Sequence, residues 1–277
     1  MANAPGESDL LKLGNKLLED GPVKTLATPR RVRILFNGAY VADTTMALLV
    51  WEHEYYPQYY VSELSILQHL RDPDSWVPGS PYQCRTAILS VGDRATDRVL
   101  MFGYSLRNPV SQMLAGMVRV EFGAADAWFE EDVRIYVHPK DPFRRVDVLH
   151  STRALEVRVQ GRVVAQTGSA YHLYETGLPC RYYVPPTAVI ARDGVRLRDS
   201  GTTTACPYKG VANYYHVEVD AGGEGRGGKF EDLVWYYKTP TLECASIAGC
   251  LCFYHEKEGV EVRIDGELVQ RPKTLWS

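Results

Sequence analysis

The chain contains the same passage twice. Residues 38–61, GAYVADTTMALLVWEHEYYPQYYV, align without a gap with residues 161–184, GRVVAQTGSAYHLYETGLPCRYYV, at a constant offset of 123 residues. Glu52 falls on Glu175, and the triplet at 59–61 falls on Tyr182-Tyr183-Val184. With its weaker extensions, each copy spans about 115 to 125 residues, a common domain size. The repeat therefore predicts one folding unit that is used twice, with copies that have diverged.

Short segments of alternating polarity dominate both copies. Val32-Arg33-Ile34, Val157-Arg158-Val159 and Val262-Arg263-Ile264 each place apolar residues on one side of a strand and a basic residue on the other. A turn follows each of them, and Asp265-Gly266 is typical of a two-residue hairpin. Helical signal is confined to short segments such as 62–70. The pattern predicts a mostly β architecture of two tandem domains, each with a short helix.

The domain limits follow from the repeat and from the segments that flank it. We place the first domain, the degenerate copy, at 30–148, and the second domain, which we expect to hold the functional site, at 149–277. Residues 1–29 include LLKLGNKLLED, whose apolar spacing predicts an N-terminal helical arm.

Composition excludes several classes of protein. Hydrophobic residues make up 45% of the chain and charged residues 23%, which is typical of a soluble globular protein. A net charge of −3 with no long basic run argues against nucleic acid or an anionic membrane as partner. No apolar run approaches the roughly 18 residues of a membrane span, and the N-terminus lacks the features of a signal peptide. We expect a cytoplasmic protein.

The six cysteines show no zinc-binding spacing, and we interpret them as free thiols that pack as small apolar groups. Cys250-x-Cys252 would place both side chains on one face of a strand, and no second Cys/His pair accompanies it. The sequence therefore predicts no structural metal.

Several segments resemble a known family. They are RYYVP at 181–185, TACPYKGVANYY at 204–215, Trp235-Tyr236-Tyr237, Ile247-Ala248-Gly249 and Phe253-Tyr254. Together they resemble domain-of-unknown-function family 427, and AWFEEDVRIYVHPKDPFRRVDVL with the ending VQRPKTLWS resembles its tandem, two-domain members. The resemblance covers about residues 30 to 277 and implies a β-tent, an arrangement of coiled antiparallel sheets that resembles an open barrel. It implies no chemistry, because the family's function is unassigned.

A nucleotidyltransferase-like label attached to that family finds no support in the residues. Nucleotidyl transfer normally needs a Gly-Ser loop and paired metal-binding carboxylates. The nearest such pair, Asp72-x-Asp74, lies in a Pro-rich loop without a Gly-Ser partner. We expect neither a catalytic metal nor a cofactor.

Glu175 is the first candidate for catalysis. It follows the strand-like segment 171–174 and precedes the turn at 176–179. A carboxylate at a barrel mouth would be suited by desolvation to general acid or base work. Glu175 could instead hydrogen-bond the backbone of the following turn, and its repetition as Glu52 favours such a shared structural role.

Lys209 lies where Pro207 and Gly210 bracket a tight bend, which could aim its side chain into a cavity. A partly buried lysine could bind a carboxylate, polarise a carbonyl or form a Schiff base. A salt bridge with Glu175 is the alternative. The same cation could make a nucleophile of Cys206, which is otherwise a plain buried thiol. Tyr208, between them, completes the candidate catalytic set.

Aromatic side chains are concentrated in the second copy, and they suit a pocket for a planar organic molecule. They would equally form a well-packed core. An arginine among them is a candidate for binding a ligand carboxylate, although a solvated or cross-strand arginine is the alternative. The candidate substrate-binding residues are Arg181, Tyr183, Tyr215, Trp235, Tyr237 and Tyr254.

These residues favour a cofactor-independent enzyme of the isomerase, cyclase, lyase or hydrolase type. It would act on a planar oxygenated metabolite by acid/base chemistry in the second domain, because Lys209 and Cys206 face Gln83 and Ser80 in the first copy. The alternatives are a non-catalytic small-molecule or peptide binding module and an interaction protein whose own side chains fill the pocket. We expect a small-molecule ligand as partner, no nucleic acid and no membrane. The chain would be either a monomer with an internal pseudo-dimer or a homodimer.

Overall fold

A computed structural model describes residues 9–71, 82–190, 194–220 and 227–273 of the chain. The fold is mostly β, and the chain divides into two compact units, Met1–Asp141 and Pro142–Ser277. Within the described residues, each unit contains one seven-stranded and one four-stranded sheet, and every sheet has two edge strands. The prediction of a mostly β chain with tandem domains is therefore confirmed.

The first unit begins with an amphipathic helix, α1, Asp9–Glu19, which buries Leu10 and Leu17. Its strands are β1 Lys24–Thr28, β2 Val32–Phe36, β3 Ala39–Thr44, β4 Ala47–Trp51, β5 Gln58–Ser62, β6 Leu70–Arg71, β7 Cys84–Val91, β8 Arg94–Phe102, β9 Met117–Val120, β10 Ala127–Glu130 and β11 Val133–Ile135. Short 3₁₀ helices span Glu63–Ser65, Leu67–His69, Pro109–Leu114 and Phe122–Ala124.

The two sheets of the first unit enclose its main core. The seven-stranded sheet has the order β1-β4-β5-β9-β8-β7-β6, and the four-stranded sheet has the order β11-β10-β2-β3. Alternate residues such as Ile34 and Leu49 meet between the sheets. The other face of the seven-stranded sheet carries Leu48 and Val50, and Leu17 of α1 packs against it.

The second unit repeats this plan. Its strands are β12 Val146–Ser151, β13 Leu155–Val159, β14 Arg162–Thr167, β15 Ala170–Glu175, β16 Arg181–Val184, β17 Val195–Cys206, β18 Gly210–Val219, β19 Gly228–Pro240, β20 Leu251–Phe253, β21 Val260–Ile264 and β22 Glu267–Leu268. Its 3₁₀ helices are Pro186–Ala188 and Leu242–Ile247.

The strand orders of the second unit match those of the first. They are β12-β15-β16-β20-β19-β18-β17 and β14-β13-β21-β22. Residues such as Val157 and Val234 form the core between the sheets. No α-helix occurs among the residues of this unit that the structure describes, so the element corresponding to α1 is not found there.

Three tight turns bear out the hairpin prediction. Asn37-Gly38, Gln160-Gly161 and Asp265-Gly266 have positive φ at both positions, from 46° to 87°. That conformation is the type I′ turn, whose twist matches that of the flanking strands. The segment 62–70 forms two 3₁₀ turns and not one longer helix. The backbone of Ile66, at φ −131°, separates the two turns.

The structure draws the unit limits differently from the repeat alignment. Residues of β1 pair with β4, so the part of 1–29 that follows α1 belongs to the first sheet. β12 pairs with β15 along its whole length, which places the start of the second unit before residue 149. No helix of the described chain is long and apolar enough to cross a membrane.

Candidate functional site

Most of the predicted site residues share one face of a sheet in the second unit. This is the face of the seven-stranded sheet opposite to the core between the sheets, and we name it the aromatic face. Strand alternation directs onto it the side chains of Tyr183, Trp235 and Tyr237, which are all buried. Its other buried members are Leu173, Ala212, Tyr214, Cys244, Ile247, Cys250 and Cys252.

Glu175 and Lys209 come to this face from strand ends. Glu175 is the last residue of β15, and its carbonyl oxygen accepts a hydrogen bond from the amide of Leu178 at 2.9 Å. Lys209 lies in the three-residue turn between β17 and β18, which closes where Cys206 pairs with Gly210. Gly210 has φ +97°, a conformation that favours glycine.

The two side chains form a buried ion pair. Lys209 Nζ donates a hydrogen bond to Glu175 Oε2, and the two residues are only 9% and 8% exposed. In the sheet, three strands (β16, β20 and β19) lie between β15 and β18. Direct contact across three strands requires the sheet to curl over the aromatic face. The ion pair therefore joins two distant parts of one curled sheet.

The electrostatics of Lys209 are set by its neighbours. Burial alone lowers the pKa of an ammonium group, but the Cys206 thiol and the Glu175 carboxylate favour the charged form. The net result is a raised pKa for Lys209. Lys209 is therefore a permanent cation at neutral pH, with Glu175 as its counter-ion.

The turn that carries Lys209 is attached to the 3₁₀ helix Leu242–Ile247. The carbonyl oxygen of Tyr208 accepts hydrogen bonds from Thr241 Oγ1 at 2.6 Å and from Cys244 Sγ at 3.6 Å. Tyr208 is buried, and Cys206 is partly exposed. Sequence reasoning missed Cys244, because nothing in the pattern links it to a turn more than thirty residues earlier. Burial raises the pKa of the Cys244 thiol.

Hydrogen bonds and ring contacts order the aromatic face. Trp235 Nε1 donates to the Tyr183 hydroxyl at 3.0 Å, and the rings of Trp235 and Tyr254 are 4.4 Å apart. The hydroxyls of Thr204 and Tyr214 are 2.7 Å apart. Burial raises the pKa of Tyr254, so this phenol stays protonated near neutral pH and can donate a hydrogen bond.

Two predicted binding residues have other surroundings. Arg181 lies on the aromatic face, 5.5 Å from the Trp235 ring, but its guanidinium forms an ion pair with Glu256. Tyr215 lies on the opposite face, where its ring stacks on Tyr236 at 4.7 Å. The hydrogen bond to Tyr236 raises the pKa of Tyr215 to about 12. Side chains alternate along β18, so Tyr214 and Tyr215 cannot both face the aromatic side.

In the first unit, a different kind of residue neutralises the buried glutamate. Glu52, the counterpart of Glu175, accepts hydrogen bonds from Arg119 Nε at 2.5 Å and from the Tyr60 hydroxyl at 3.0 Å. Arg119 lies on β9, and only β5 separates β9 from β4. Sequence reasoning missed Arg119, although an arginine within the apolar run 117–120 is a usable signal for a buried ion pair.

Neither cation is found at the matching position of the other unit. Arg119 is paired in register with Tyr60, and the residue paired with the corresponding Tyr183 is Cys252. Gln83 occupies the position that corresponds to Lys209. The carbonyl oxygen of each accepts a hydrogen bond from the backbone amide that directly follows the adjacent strand, β8 in the first unit and β19 in the second. The Gln83 side chain donates to the Ser105 carbonyl at 2.9 Å and accepts from the Arg107 amide at 2.8 Å. The Gln83 side chain therefore stabilises a loop, and Arg119 is the residue that neutralises Glu52.

Within the described part of the chain, no group of three or more His, Cys, Asp or Glu side chains is arranged to hold a metal ion. Asp72, Asp74 and Ser80 lie outside the described residues.

Comparison with known sequences gives a family and no activity. A family model described as Domain of unknown function (DUF427) matches the chain twice, at residues 24–131 and 147–269. The two matches fall in the two structural units and together cover most of the chain. No curated protein matches the chain. The chain belongs to the DUF427 family, as a tandem member with two copies of the domain.

Proposed function

We propose that the second unit is a cofactor-independent acid/base enzyme that acts on a planar oxygenated small molecule. The observation that carries the proposal is the buried contact between Glu175 and Lys209, with the partly exposed Cys206 beside the lysine. A carboxylate and an ammonium group held together are a proton acceptor and a source of positive charge within reach of one substrate.

Isomerisation is the simplest reaction for such a pair, because it needs no co-reactant. The Glu175 carboxylate takes the proton from a carbon next to a substrate carbonyl. In a β,γ-unsaturated carbonyl compound, the electron pair of that C–H bond forms a new C=C bond to the carbonyl carbon, and the C=O π pair moves to the oxygen, whose developing charge the Lys209 ammonium stabilises. Glu175 then returns the proton to the γ-carbon, the oxygen's electron pair forms the C=O bond again, and the remaining C=C bond ends conjugated with it. The enzyme ends in its starting state, and the substrate keeps its composition.

Differences between the units support the assignment to the second one. Arg119 in the first unit is a guanidinium fixed by two hydrogen bonds to Glu52, at 2.5 and 3.3 Å. Lys209 is a single ammonium group with three donors that can rotate toward a new acceptor. The rings of Trp235 and Tyr254 lie on the same face and are suited to contact a planar substrate.

A non-catalytic binding module is the second candidate. The specific observation in its favour is that Glu175 and Lys209 neutralise each other and are both more than nine-tenths buried. In that case the pair would shape the aromatic face, and a ligand would bind without proton transfer.

Hydrogen–deuterium exchange of candidate substrates separates the two functions. The intact protein is incubated in D₂O with planar cyclic ketones and lactones that carry an acidic C–H next to the carbonyl. Deuterium uptake is followed by NMR. We expect exchange of at least one compound, and a loss of roughly 10²- to 10⁴-fold in Glu175→Gln, which keeps the shape of the side chain but cannot accept the proton.

The matched control is Glu52→Gln, which makes the same change in the first unit and should leave exchange unaffected. If Glu175→Gln exchanged deuterium as fast as the natural protein, Glu175 would not be the base. If compounds bound to the protein without any exchange, the binding module would be the correct assignment.

A further inference from the structure

The four-stranded sheet of the second unit holds a cavity that the proposed acid/base site does not use. Its volume is about 130 Å³, roughly four times the ~30 Å³ that a water molecule occupies in the liquid. It therefore has room for a polar group of several heavy atoms. Its walls are Ala154, Leu155, Glu156, Gln166, Arg263 and Gly266.

Three of these side chains form one row across adjacent strands. Glu156 on β13 pairs in register with Gln166 on β14 and with Arg263 on β21. Residues opposed in this way have Cβ atoms about 4.5–5.5 Å apart. Glu156 and Arg263 nevertheless form no ion pair with each other in the part of the chain that the structure describes. The cavity lies between these opposite charges.

Each charge is instead engaged along its own strand. Glu156 Oε1 accepts a hydrogen bond from Arg158 Nε at 2.7 Å. Arg263 makes longer contacts, to the Gly266 carbonyl at 3.4 Å and to Glu261 at 3.6 Å. Its Nε is buried without a hydrogen-bond partner. The terminal nitrogens of Arg263 make only these two long contacts, so they have hydrogen-bonding capacity for an acceptor in the cavity.

The same row of the first unit has different members. Its members are Asp43, Arg33 and Phe129, in matching register. Asp43 forms an ion pair with Arg31, and the Arg33 guanidinium lies 5.4 Å from the Phe129 ring. Arg33 also donates to the Glu131 carbonyl. Arg33 and Asp43 are thus opposed in register and each pairs with another residue, as Glu156 and Arg263 do, and the rows differ in that Phe129 occupies the position of Arg263.

We propose that this cavity binds a primary carboxamide group. The amide oxygen would accept from Arg263, the NH₂ group would donate to Glu156, and Gln166 offers both a donor and an acceptor. A carboxylate would meet the Glu156 charge, and an ammonium group would meet the Arg263 charge. A neutral group with a donor beside an acceptor fits both sides. This proposal is independent of the acid/base site.

Titration with acetamide tests the site in the intact, ¹⁵N-labelled protein. We expect saturable shifts of the backbone amides of Ala154 and Gly266, with a millimolar dissociation constant. Acetate and methylammonium should bind at least tenfold more weakly. N-acetyl-asparagine N-methylamide, whose only primary carboxamide is its side chain, separates a peptide source of the group from a free small amide, because tighter binding than acetamide would indicate the side chain of a peptide.

Arg263→Phe introduces the residue that the first unit carries in this row and should weaken acetamide binding at least tenfold. Gln166→Ala changes an exposed residue outside the core and should weaken binding about threefold with the fold intact. Arg33→Gln in the first unit is the control and should have no effect. The proposal is wrong if acetamide causes no saturable shift, if acetate binds as well, or if neither second-unit variant weakens binding.

Discussion

The two units bury a glutamate at the same position and neutralise it from different strands. In the first unit, Arg119 reaches Glu52 across one intervening strand, and Tyr60 completes the contact. In the second unit, Lys209 reaches Glu175 across three. The carboxylate was retained while its cation changed position. The comparison teaches that a buried carboxylate needs a compensating cation nearby, and that this cation can come from different strands.

The faces around the two glutamates differ in the same way. In the first unit, Leu100 and Phe102 lie on this face, and α1 packs against it through Leu17. In the second, Trp235 and Tyr237 occupy the corresponding strand. Rings with polar atoms thus stand where the first unit has Leu100, Phe102 and a helix. Both faces carry a phenol and a thiol, which are Tyr60 and Cys84 in the first unit, so the lysine is what distinguishes the second.

The largest expected difference is in alkaline stability. Burial raises the pKa of the Cys244, Cys250 and Cys252 thiols above its ordinary value, and neighbouring groups do the same for the pKa of Lys209. All four contribute stability that is lost as the pH rises, because the unfolded chain releases these protons first. We expect the second unit to lose protection against hydrogen exchange between about pH 9 and 11, measured by mass spectrometry.

The first unit serves as the internal reference in that experiment. Its arginine does not titrate, although burial also raises the pKa of Tyr60. Its protection should therefore fail at a higher pH than that of the second unit. Simultaneous failure of both units, or earlier failure of the first, would contradict the comparison.

Arg119→Met tests how strongly the first ion pair is needed. It leaves Glu52 buried with only the Tyr60 hydroxyl as a partner. Removing one member of a buried pair costs about 3–5 kcal/mol. We expect the free energy of local unfolding to fall by that amount in peptides from residues 24–131. Peptides from the second unit provide the control, and a loss spread equally over both units would refute the local explanation.

Lys209→Gln should be less damaging, because the amide of glutamine still donates one hydrogen bond to Glu175. Losing the counter-charge while keeping a hydrogen-bond donor to the carboxylate costs about 2 kcal/mol. Urea denaturation with hydrogen-exchange readout of residues 147–269 measures it. Lys209→Arg, which retains a cation, is the matched control. A cost above that of Arg119→Met would reverse the order that we derive.

Gln83→Ala should have the smallest effect of the series. It removes two hydrogen bonds, to Ser105 and from Arg107, that hold a partly exposed loop. At about 0.5–1 kcal/mol for each bond, we expect a loss of roughly 1–2 kcal/mol. Thermal unfolding monitored by circular dichroism measures the change. A loss as large as that of Lys209→Gln would mean that the two positions have the same role.

Local pattern predicted much of this fold from the sequence. The ungapped repeat gave two equivalent units, and the Gly-containing turns at Gly38, Gly161 and Gly266 gave the hairpins that open or close them. These features depend on neighbours in the chain, which periodicity and turn chemistry report directly. The exact division between Asp141 and Pro142 depends on the pairing of β12 with β15, which alternation alone does not fix.

The candidate site was less accessible to sequence reasoning. The sequence allows two interpretations of Glu175 and Lys209, and the salt bridge is one of them. Predicting their contact requires knowledge that the sheet curls. Arg119 and Glu256, the partners of Glu52 and Arg181, come from strands or turns far along the chain. The residue type of Tyr215 suits the pocket. Tyr215 nevertheless lies on the other face of the sheet, because it is one residue further along β18 than Tyr214. Residue type indicates the chemistry of a side chain, but the register of its strand decides on which face of the sheet that side chain lies.

The contact across three strands also has a consequence for the order of folding. Glu175 and Lys209 can meet only after β15, β16, β20, β19 and β18 have assembled in register and curled. We expect the ion pair to be largely unformed in the folding transition state. Interactions that form late slow unfolding and leave the folding rate almost unchanged. The pair would then act on the lifetime of the native second unit, and so on its resistance to proteolysis, more than on the speed with which that unit is made.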